Sequence, residues 1–333
     1  MTTPLEQILT PLPLPGGPPL PCRILPGPMD GVTEGAFLEA MSKRGWVTAW
    51  ITPFLRISTG VPRRARLQDW LRPFQETGLP VIAQLMGLSS AKIAATAGRL
   101  AELGVRGVDL NCACPSPTVV SHGSGGARLK TPEWLGEVVA AVRRECAPLP
   151  VSLKIRTGYA SVDEFPVILQ MVKEAAPDMV TIHFRTVSEM YDDIPDGLAR
   201  LRLARELLPD QLLIGSGDLF TPADAVRMLE ETHVDGLAPA RGLLRNPSLI
   251  PEILLTLRGQ PMSGLSLREK LEFLFDISCP DALKPKTRNG FVLRMTRTLF
   301  GEDSELFQEL SKRPLLRQSR EYLGNLLQGT LPR

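Results

Sequence analysis

Eight short apolar runs rich in β-branched residues alternate with segments of helical periodicity along most of the chain. These runs begin at Cys22, Trp46, Pro80, Gly107, Pro150, Met179, Leu212 and Val234. The segments between them, such as SAKIAATAGRLAELG and PEWLGEVVAAVRREC, carry apolar residues at the i, i+3, i+4 and i+7 spacing of a helix on a sheet. The alternation predicts an α/β protein and leaves two folds open, a (β/α)8 TIM barrel and a doubly wound open sheet.

Polar side chains at the strand ends favour the barrel. Residues two apart share a face of a strand, and the apolar face of each strand must pack against the helices. The opposite faces of three strands carry polar residues: Asp109 and Asn111, then Ser152, Lys154 and Arg156, then Thr181, His183 and Arg185. Burial of so many polar and charged groups costs too much desolvation for them to be idle. We therefore expect them to converge on the mouth of a TIM barrel.

The two ends of the chain lack this alternation. Residues 1–21 are rich in proline and predict an irregular, mobile arm that does not have the basic start and apolar centre of a signal peptide. Residues 22–252 hold the barrel pattern. Residues 253–333 have helical periodicity and little β character, which predicts a small C-terminal helical domain.

Two basic clusters stand out in a chain whose net charge is only +2. From residue 281 onward ten Lys and Arg accompany six Asp and Glu, and RISTGVPRRARLQDWLR holds five arginines and one acid. The candidate contacts in these clusters are Arg63, Arg64, Arg66, Lys284, Lys286 and Arg288. Either cluster alone fits a solvated helix face, and an aromatic content of 5% offers little for stacking single-stranded nucleic acid.

The cysteine content and hydropathy predict a cytoplasmic protein. The five cysteines are an odd number without even spacing, which indicates a reducing compartment. No run approaches the roughly 20 apolar residues that a membrane span needs.

The stretch DLNCACPSPTVVSHGSGGARL places Cys112 and Cys114 one residue apart. Cys112 has the parity of the apolar strand face and is predicted to be a small buried hydrophobe. Cys114 lies just past the strand end, in the loop over the barrel mouth. No metal is expected, since no further Cys or His pair completes a ligand set, and a disulfide between the two would be badly strained. For Cys114 a buried structural thiol stays open, and a reactive thiol beside basic groups is favoured.

Glycine-rich turns follow the seventh and eighth runs, where TIM barrels often bind phosphate through backbone N–H groups. The turns are GSGD, with Gly215 and Gly217, and ARG, with Arg241 and Gly242. With Lys154 nearby, they predict a site for a phosphorylated aromatic cofactor such as flavin mononucleotide (FMN).

From Ile24 to the C-terminus the chain resembles the tRNA-dihydrouridine synthases, flavin enzymes that reduce uridines in the D-loop of tRNA. The resemblance rests on LPGPMDGVT, VIAQLMG, GVDLNCACPSPTVVSHGSGGARL, VSLKIRTGY, IHFRT, GSGD and ARGLLRNP, which follow the family's order. The Asn-x-x-Cys-Pro core with its trailing GSGGA is the most specific of these motifs. NCACPSPTV and ITPFLRIS are most similar to the bacterial C-type subgroup, which modifies the uridine at position 16.

The resemblance implies a cofactor, a reaction and a set of site residues. Its implied FMN contacts are Pro28, Met29, Asp30, Gln84, Lys154, His183, Ser216, Gly217, Asp218, Ala240 and Arg241. It makes Cys114 the catalytic acid and places Asn111 and Arg156 near the substrate uracil. NADPH or NADH would reduce the flavin, the flavin would pass hydride to C6 of uracil, and Cys114 would protonate C5. A thiol suits this role because its ordinary pKa of about 8.5 keeps it protonated at neutral pH.

Four positions depart from the family's pattern. Gly27 replaces the alanine of Ala-Pro-Met, and Phe184 replaces the glycine of His-Gly-Arg-Thr. Ser216 stands for the asparagine of Asn-Gly and lacks an amide's second polar group. Ala240 stands for the first glycine of Gly-Arg-Gly and costs backbone freedom close to the phosphate.

The resemblance also implies a monomer that binds tRNA. A tRNA elbow would present one unstacked base to the barrel mouth, while the basic clusters contact phosphates without reading sequence. Two other functions stay open. One is a small-molecule FMN barrel oxidoreductase of the dihydroorotate dehydrogenase kind, and the other is a tRNA-binding relative that has lost catalysis.

Overall fold

A computed structural model describes residues 3–33, 35–279 and 286–329. The strands in this part of the chain are β1 (Trp50–Ile51), β2 (Leu55–Ile57), β3 (Val81–Gly87), β4 (Gly107–Cys112), β5 (Val151–Arg156), β6 (Met179–His183), β7 (Leu213–Ser216) and β8 (Gly236–Leu237). All pairings between these strands are parallel. The strand order in the sheet is β1, β3, β4, β5, β6, β7, β8, and β2 also pairs with β3. Asp109 lies opposite Ser152 and Asn111 opposite Lys154, so the polar faces of β4 and β5 are in register.

Helices connect the strands and cover the sheet with their apolar faces. Those of the first part are α1 (Pro4–Gln7), α2 (Gly35–Lys43), α3 (Arg64–Gln75), α4 (Ser90–Ala101), α5 (Pro117–Val120), α6 (Trp134–Cys146), α7 (Phe165–Ala175), α8 (Gly197–Leu207) and α9 (Pro222–Thr232). Those after β8 are α10 (Arg241–Arg245), α11 (Leu249–Leu257), α12 (Leu267–Ile277), α13 (Gly290–Phe300), α14 (Glu305–Ser311) and α15 (Leu316–Gln328). The strand–helix alternation confirms the (β/α)8 barrel that the sequence predicts.

The first two predicted strands are shorter than expected. CRILPGPM forms a single bridge, between Ile24 and Leu237 of β8, and this contact joins the start of the barrel to its end. Pro26 and Pro28 have no N–H to donate, so no longer ladder forms there. The second run divides into β1 and β2 around Pro53 for the same reason.

The N-terminal arm packs into the barrel. Leu12 and Leu20 pair in an antiparallel bridge, and both are 0% exposed. With Leu14 they belong to an apolar cluster whose other buried members are Leu25, Ala49, Ile51, Ile82, Met179, Ile214 and Ala238. An irregular segment can be buried in this way because its backbone groups find partners.

Arg106 supplies several of those partners. Its guanidinium donates to the carbonyl oxygens of Leu14, Pro15 and Pro18 at 2.8–3.1 Å. The cluster that receives the arm lies at the N-terminal ends of the strands. Its member Met179 is the first residue of β6 and lies on the same strand face as His183, which is the last residue of β6 and lies at the mouth. The arm therefore plugs the end of the barrel opposite the predicted mouth.

Leu12→Ala should destabilise the protein by about 2–5 kcal/mol, because it removes buried methyl groups and leaves a cavity in the plug. Chemical denaturation measures the free energy of unfolding. Val167→Ala, at a side chain that is 56% exposed on α7, is the control and should change it little. An unchanged unfolding free energy for Leu12→Ala would show that the plug carries no stability.

The C-terminal helices pack on the side of the barrel next to α2. Phe37 of α2 makes edge-to-face contacts with Phe273 of α12 and Phe291 of α13, at centroid distances of 6.1 and 5.8 Å. Arg44 stacks over Trp46 and pairs with Asp276 of α12 at 2.8 Å. The predicted boundary between residues 252 and 253 falls within α11 and stays a prediction. None of the described helices is long and apolar enough to cross a membrane.

Candidate active site at the barrel mouth

A cavity of about 370 Å³ opens at the C-terminal ends of the strands. Its lining residues are Pro28, Met29, Asp30, Pro53, Phe54, Asn111, Ala113, Cys114, Pro115, Lys154, Arg156, His183, Tyr191, Ser216, Gly217, Ala240 and Arg241. They come from loops and strand ends all around the barrel, as the convergence of polar faces predicts. The volume lies within the range of small-molecule sites.

Of the residues predicted for the cofactor, the catalytic acid and the uracil, all but two line this cavity. Gln84 is fully buried beneath it, with both ends of its amide hydrogen-bonded to neighbouring side chains. Asp218 holds two arginines and does not line the cavity. The predicted contact of these two residues with FMN stays a prediction. Their motifs pointed to the right region, and their hydrogen-bond partners lie on other elements of the barrel.

Sequence reasoning missed five lining residues: Pro53, Phe54, Ala113, Pro115 and Tyr191. Pro53 and Phe54 end the second apolar run, so their position past a strand was a usable signal. Tyr191 lies in the irregular segment after β6 and is 49% exposed, with Arg156 and Arg241 over its ring at 5.5 and 4.6 Å. Nothing in the local pattern distinguishes it from an ordinary surface tyrosine.

The Cys114 loop is held by close packing against the glycine-rich turn that follows it. Gly126 N–H donates to the Cys114 carbonyl at 3.0 Å. A Cβ on Gly125 would lie 2.7 Å from Val119 and 3.1 Å from Cys114, and Gly125 has a positive φ of 58°. Gly125 and Gly126 of GSGGA are therefore explained by close approach to the thiol loop.

The environment of Cys114 favours the neutral thiol. Burial raises the pKa of the Cys114 thiol, while a backbone hydrogen bond at Ser116 and the charge of Arg156 act in the opposite direction. All five cysteines are free, and Cys112 is buried as predicted. A half-buried thiol that keeps its proton at neutral pH can act as an acid.

Two basic groups share the cavity with this thiol. Burial, followed by the charge of Arg156, lowers the pKa of the Lys154 ammonium to about 8. Arg156 itself donates to the carbonyl oxygens of Ala113, Thr186 and Met190 at 2.7–2.8 Å. These bonds tie β5 to the loops after β4 and β6, so Arg156 fixes the shape of the mouth as well as its charge.

His183 lies at the end of β6 and is kept neutral. Burial lowers its pKa well below the ordinary value, and the charges of Arg156, Lys154 and other arginines act in the same direction. Its Nδ1 accepts a hydrogen bond from the Arg185 N–H at 3.3 Å. The remaining ring nitrogen is then a donor, suited to an oxygen acceptor in the cavity.

Asp218 positions an arginine at the far side of the cavity. Its two oxygens accept from the guanidinium of Arg185 at 2.9 and 2.5 Å, and one of them also accepts from Arg241 at 2.7 Å. Arg185 is 1% exposed, whereas the Arg241 side chain is 35% exposed and lines the cavity. Arg185 thus fixes the orientation of the Asp218 carboxylate, and this carboxylate fixes the orientation of Arg241.

Two of the departures from the family's pattern touch each other. Gly27 N–H donates to the Pro239 carbonyl at 2.7 Å, and a Cβ on Gly27 would lie 2.8 Å from the Cβ of Ala240. The alanine at position 240 therefore needs glycine at position 27. Ser216 donates to the Ala238 carbonyl at 3.1 Å, so its hydroxyl is satisfied without the second group of an amide.

Gly27→Ala should destabilise the protein by about 1–3 kcal/mol through overpacking, and Ala240→Gly in the same chain should restore most of the loss. A double-mutant cycle of unfolding free energies measures the coupling. Gly136→Ala is the matched control, because a Cβ there meets nothing within 4 Å. Additive effects of the two substitutions would contradict the contact.

The predicted RNA contacts lie outside the cavity. Arg63, Arg64 and Arg66 are exposed at the start of α3, which follows the C-terminal end of β2 and so lies at the rim of the mouth. Arg64 also pairs with Glu102. Lys286 and Arg288 are exposed just before α13, which packs against α10. Lys284 lies outside the described residues.

The comparisons with known proteins decide the family. The model for the dihydrouridine synthases matches residues 24–278. The chain belongs to the dihydrouridine synthase family. It is an oxidoreductase, and the part of the chain that the structure describes contains no group of three or more His, Cys, Asp and Glu side chains that could hold a metal ion.

Two relatives support this membership, and a solved structure supports the fold. The tRNA-dihydrouridine(16) synthase of Vibrio vulnificus is 33% identical over 240 residues, which cover 68% of this chain and 73% of that protein. The probable tRNA-dihydrouridine synthase 2 of Bacillus subtilis is 30% identical over 238 residues, covering 69% and 71%. A variant of NCR from Zymomonas mobilis superposes with a TM-score of 0.55 at 14% identity, over 79% of this chain and 94% of that one, which supports the fold alone.

Proposed function

We propose that this dihydrouridine synthase reduces a uridine of tRNA, at position 16 of the D-loop, with FMN as cofactor and NADPH or NADH as reductant. The observation that carries the proposal is the Cys114 thiol, half-buried at the barrel mouth and flanked by Lys154 and Arg156. The names of the relatives from Vibrio vulnificus and Haemophilus influenzae support both tRNA and position 16.

The lining of the cavity fits FMN. Arg241 offers a charge for the phosphate, and among the described residues only Asp218 accepts from its guanidinium. Gly217 and Gly242 have no room for a Cβ, which would lie 2.0 Å from Phe184 and from the Leu219 carbonyl, so the packing of these two turns requires glycine. Lys154 and His183 would hold the polar edge and side chain of the cofactor, with Met29 against its ring. FMN, when bound, supplies the hydride for C6 of uracil.

Cys114 completes the reduction by giving its proton to C5. The double bond C5=C6 then gains one hydride and one proton, and the product is 5,6-dihydrouridine. Arg156 and Asn111 border the same part of the cavity and would orient the uracil. The thiolate left behind is stabilised by the charge of Arg156 until it takes a proton from water.

The tRNA would rest on the rim of the mouth. The exposed arginines at the start of α3 and the basic residues before α13 would neutralise phosphates, while one unstacked base enters the cavity. The separate role of residues 253–333 as an RNA-binding part, the monomeric state and the cytoplasmic location belong to this proposal as well. Family membership argues against the dihydroorotate dehydrogenase alternative.

Visible absorption of the purified protein tests the proposal. A bound flavin should bleach on anaerobic addition of NADPH and regain its colour when tRNA without dihydrouridine is added. Fully modified tRNA is the matched control and should leave the flavin reduced. A protein that cannot be reconstituted with FMN would overturn the cofactor assignment and favour the tRNA-binding relative without catalysis.

The modified position needs its own test. After the reaction, alkaline cleavage at dihydrouridine should map the product to position 16 of the D-loop. Substrate tRNAs with U16 replaced by C should then fail to reoxidise the flavin, whereas replacement of the other D-loop uridines should not matter. Product at another position would contradict the assignment to position 16 and leave the reaction itself intact.

A further inference from the structure

A chain of buried hydrogen bonds leads from the interior of the barrel to the Cys114 loop. Asp109, in the middle of β4, is 1% exposed and accepts from Gln84 Nε2 at 2.7 Å. Gln84 Oε1 in turn accepts from Asn111 Nδ2 at 2.8 Å. Asn111 Oδ1 accepts from the backbone N–H of Cys114 at 3.0 Å and from that of Ala113 at 3.1 Å.

The polarity of this chain is fixed at both of its ends. Asp109 accepts from both Ser152 and Gln84, so Gln84 presents its NH2 group to Asp109 and its oxygen to Asn111. Backbone N–H groups only donate, so Asn111 must present its oxygen to the Cys114 loop and its NH2 group to Gln84. Taken alone, each amide could be rotated by 180° about its last side-chain bond. Together they have one arrangement in which every member is satisfied.

Asp109 is the acceptor that completes this arrangement. Its other oxygen accepts from Ser152 Oγ at 2.5 Å. Burial raises the pKa of the Asp109 carboxyl, while the hydrogen bonds from Ser152 and Gln84 and the charge of Lys154 act in the opposite direction. Without an acceptor at position 109 the Gln84 NH2 group is buried and unpaired, so Gln84 is no longer held in the orientation that accepts from Asn111. The Asn111 oxygen then no longer holds the two N–H groups at the start of the thiol loop.

We propose that Asp109 is a positioning residue for the proton transfer, acting through Gln84 and Asn111 on the placement of the Cys114 thiol. This inference rests on the proposed function. It concerns only the step that uses Cys114, so reduction of the flavin by NADPH should not depend on Asp109. It also gives a role to the buried Gln84 amide, whose two ends are both hydrogen-bonded.

Two substitutions of Asp109 separate its hydrogen-bonding role from its bulk. Asp109→Asn keeps an oxygen toward Gln84 and turns its amide nitrogen to Ser152, so the chain stays satisfied. Asp109→Leu has a similar size and no acceptor. Ser152→Ala is the matched control, because it removes the other hydrogen bond of Asp109 and leaves the polarity of Gln84 unchanged.

The experiment compares the two half-reactions of each flavin-loaded variant by stopped flow and measures alkylation of Cys114 by iodoacetamide, without tRNA. We expect Asp109→Leu to slow tRNA-dependent flavin reoxidation about 10²-fold, because a thiol misplaced by about 1 Å loses that much. NADPH-dependent bleaching should stay at the wild-type rate, and the alkylation rate of Cys114 should change. Asp109→Asn and Ser152→Ala should behave as the wild type in all three measurements.

Equal loss of both half-reactions in Asp109→Leu, or reoxidation as fast as in the wild type, would overturn the inference. If Asp109→Leu does not fold, Gln84→Met decides, because it removes the link between Asp109 and Asn111. It should slow reoxidation and leave bleaching unchanged, and wild-type reoxidation by this variant would overturn the inference. Failure of the proposed function is distinguishable, since wild-type protein would then not reoxidise with tRNA at all.

Discussion

Replacement of Cys114 by alanine should slow tRNA-dependent reoxidation of the reduced flavin about 10²- to 10⁴-fold, the range that a positioned general acid contributes. Reduction of the flavin by NADPH should be unchanged, because that step needs no proton from the thiol. Stopped-flow absorption resolves the two steps. Cys279→Ala, at the exposed thiol after α12, is the control and should leave both rates at the wild-type level. Wild-type reoxidation by the Cys114 variant would show that another group supplies the proton.

The pH dependence of reoxidation follows from the same thiol. Its acid form is present below the Cys114 pKa, which burial raises, so the step should persist through neutral pH and fall only as the pH rises above that value. Lys154 loses its proton first, near its pKa of about 8, and adds a separate alkaline limb. Lys154→Met should remove that limb and leave the limb of Cys114 in the pH profile.

Asp218→Ala should destabilise the protein by about 3–5 kcal/mol, because it leaves the guanidinium of Arg185 buried without its carboxylate. Asp218 itself is partly exposed, so water can reach the gap and the loss should fall near the lower end of this range. Chemical denaturation of the protein without FMN measures it. Asp69→Ala, which breaks an exposed pair with Arg72, is the control and should cost at most about 1 kcal/mol.

The same variant should also bind FMN more weakly, since Arg241 loses the carboxylate that orients it. Quenching of flavin fluorescence on titration with the protein gives the dissociation constant. Asp218→Asn keeps an acceptor for Arg185 and should retain more stability than Asp218→Ala. An FMN affinity that is unchanged in a destabilised Asp218→Ala protein would separate the two effects and remove Arg241 from the phosphate site.

The sequence by itself determined the barrel, the mouth and the thiol. Strand and helix periodicities are local properties, so eight runs of one period between segments of another predicted an α/β fold, and the polar residues at the strand ends then favoured the barrel. Strand parity is local too, and it correctly placed Asn111, Lys154 and His183 on the face that leads to the cavity. The motif around Cys114 identified the family, which the comparison of residues 24–278 supports.

Only the tertiary structure decided which of these residues touch each other. Leu12 and Leu20 lie in a proline-rich arm without periodicity, so nothing local showed that they close the barrel. Gly27 and Ala240 are two separate departures from the family's pattern in the sequence. Only the closed barrel shows that these two positions are in contact. The reason is physical. A hydrogen bond or a steric contact depends on distance in space, and a barrel brings together residues that the sequence places far apart.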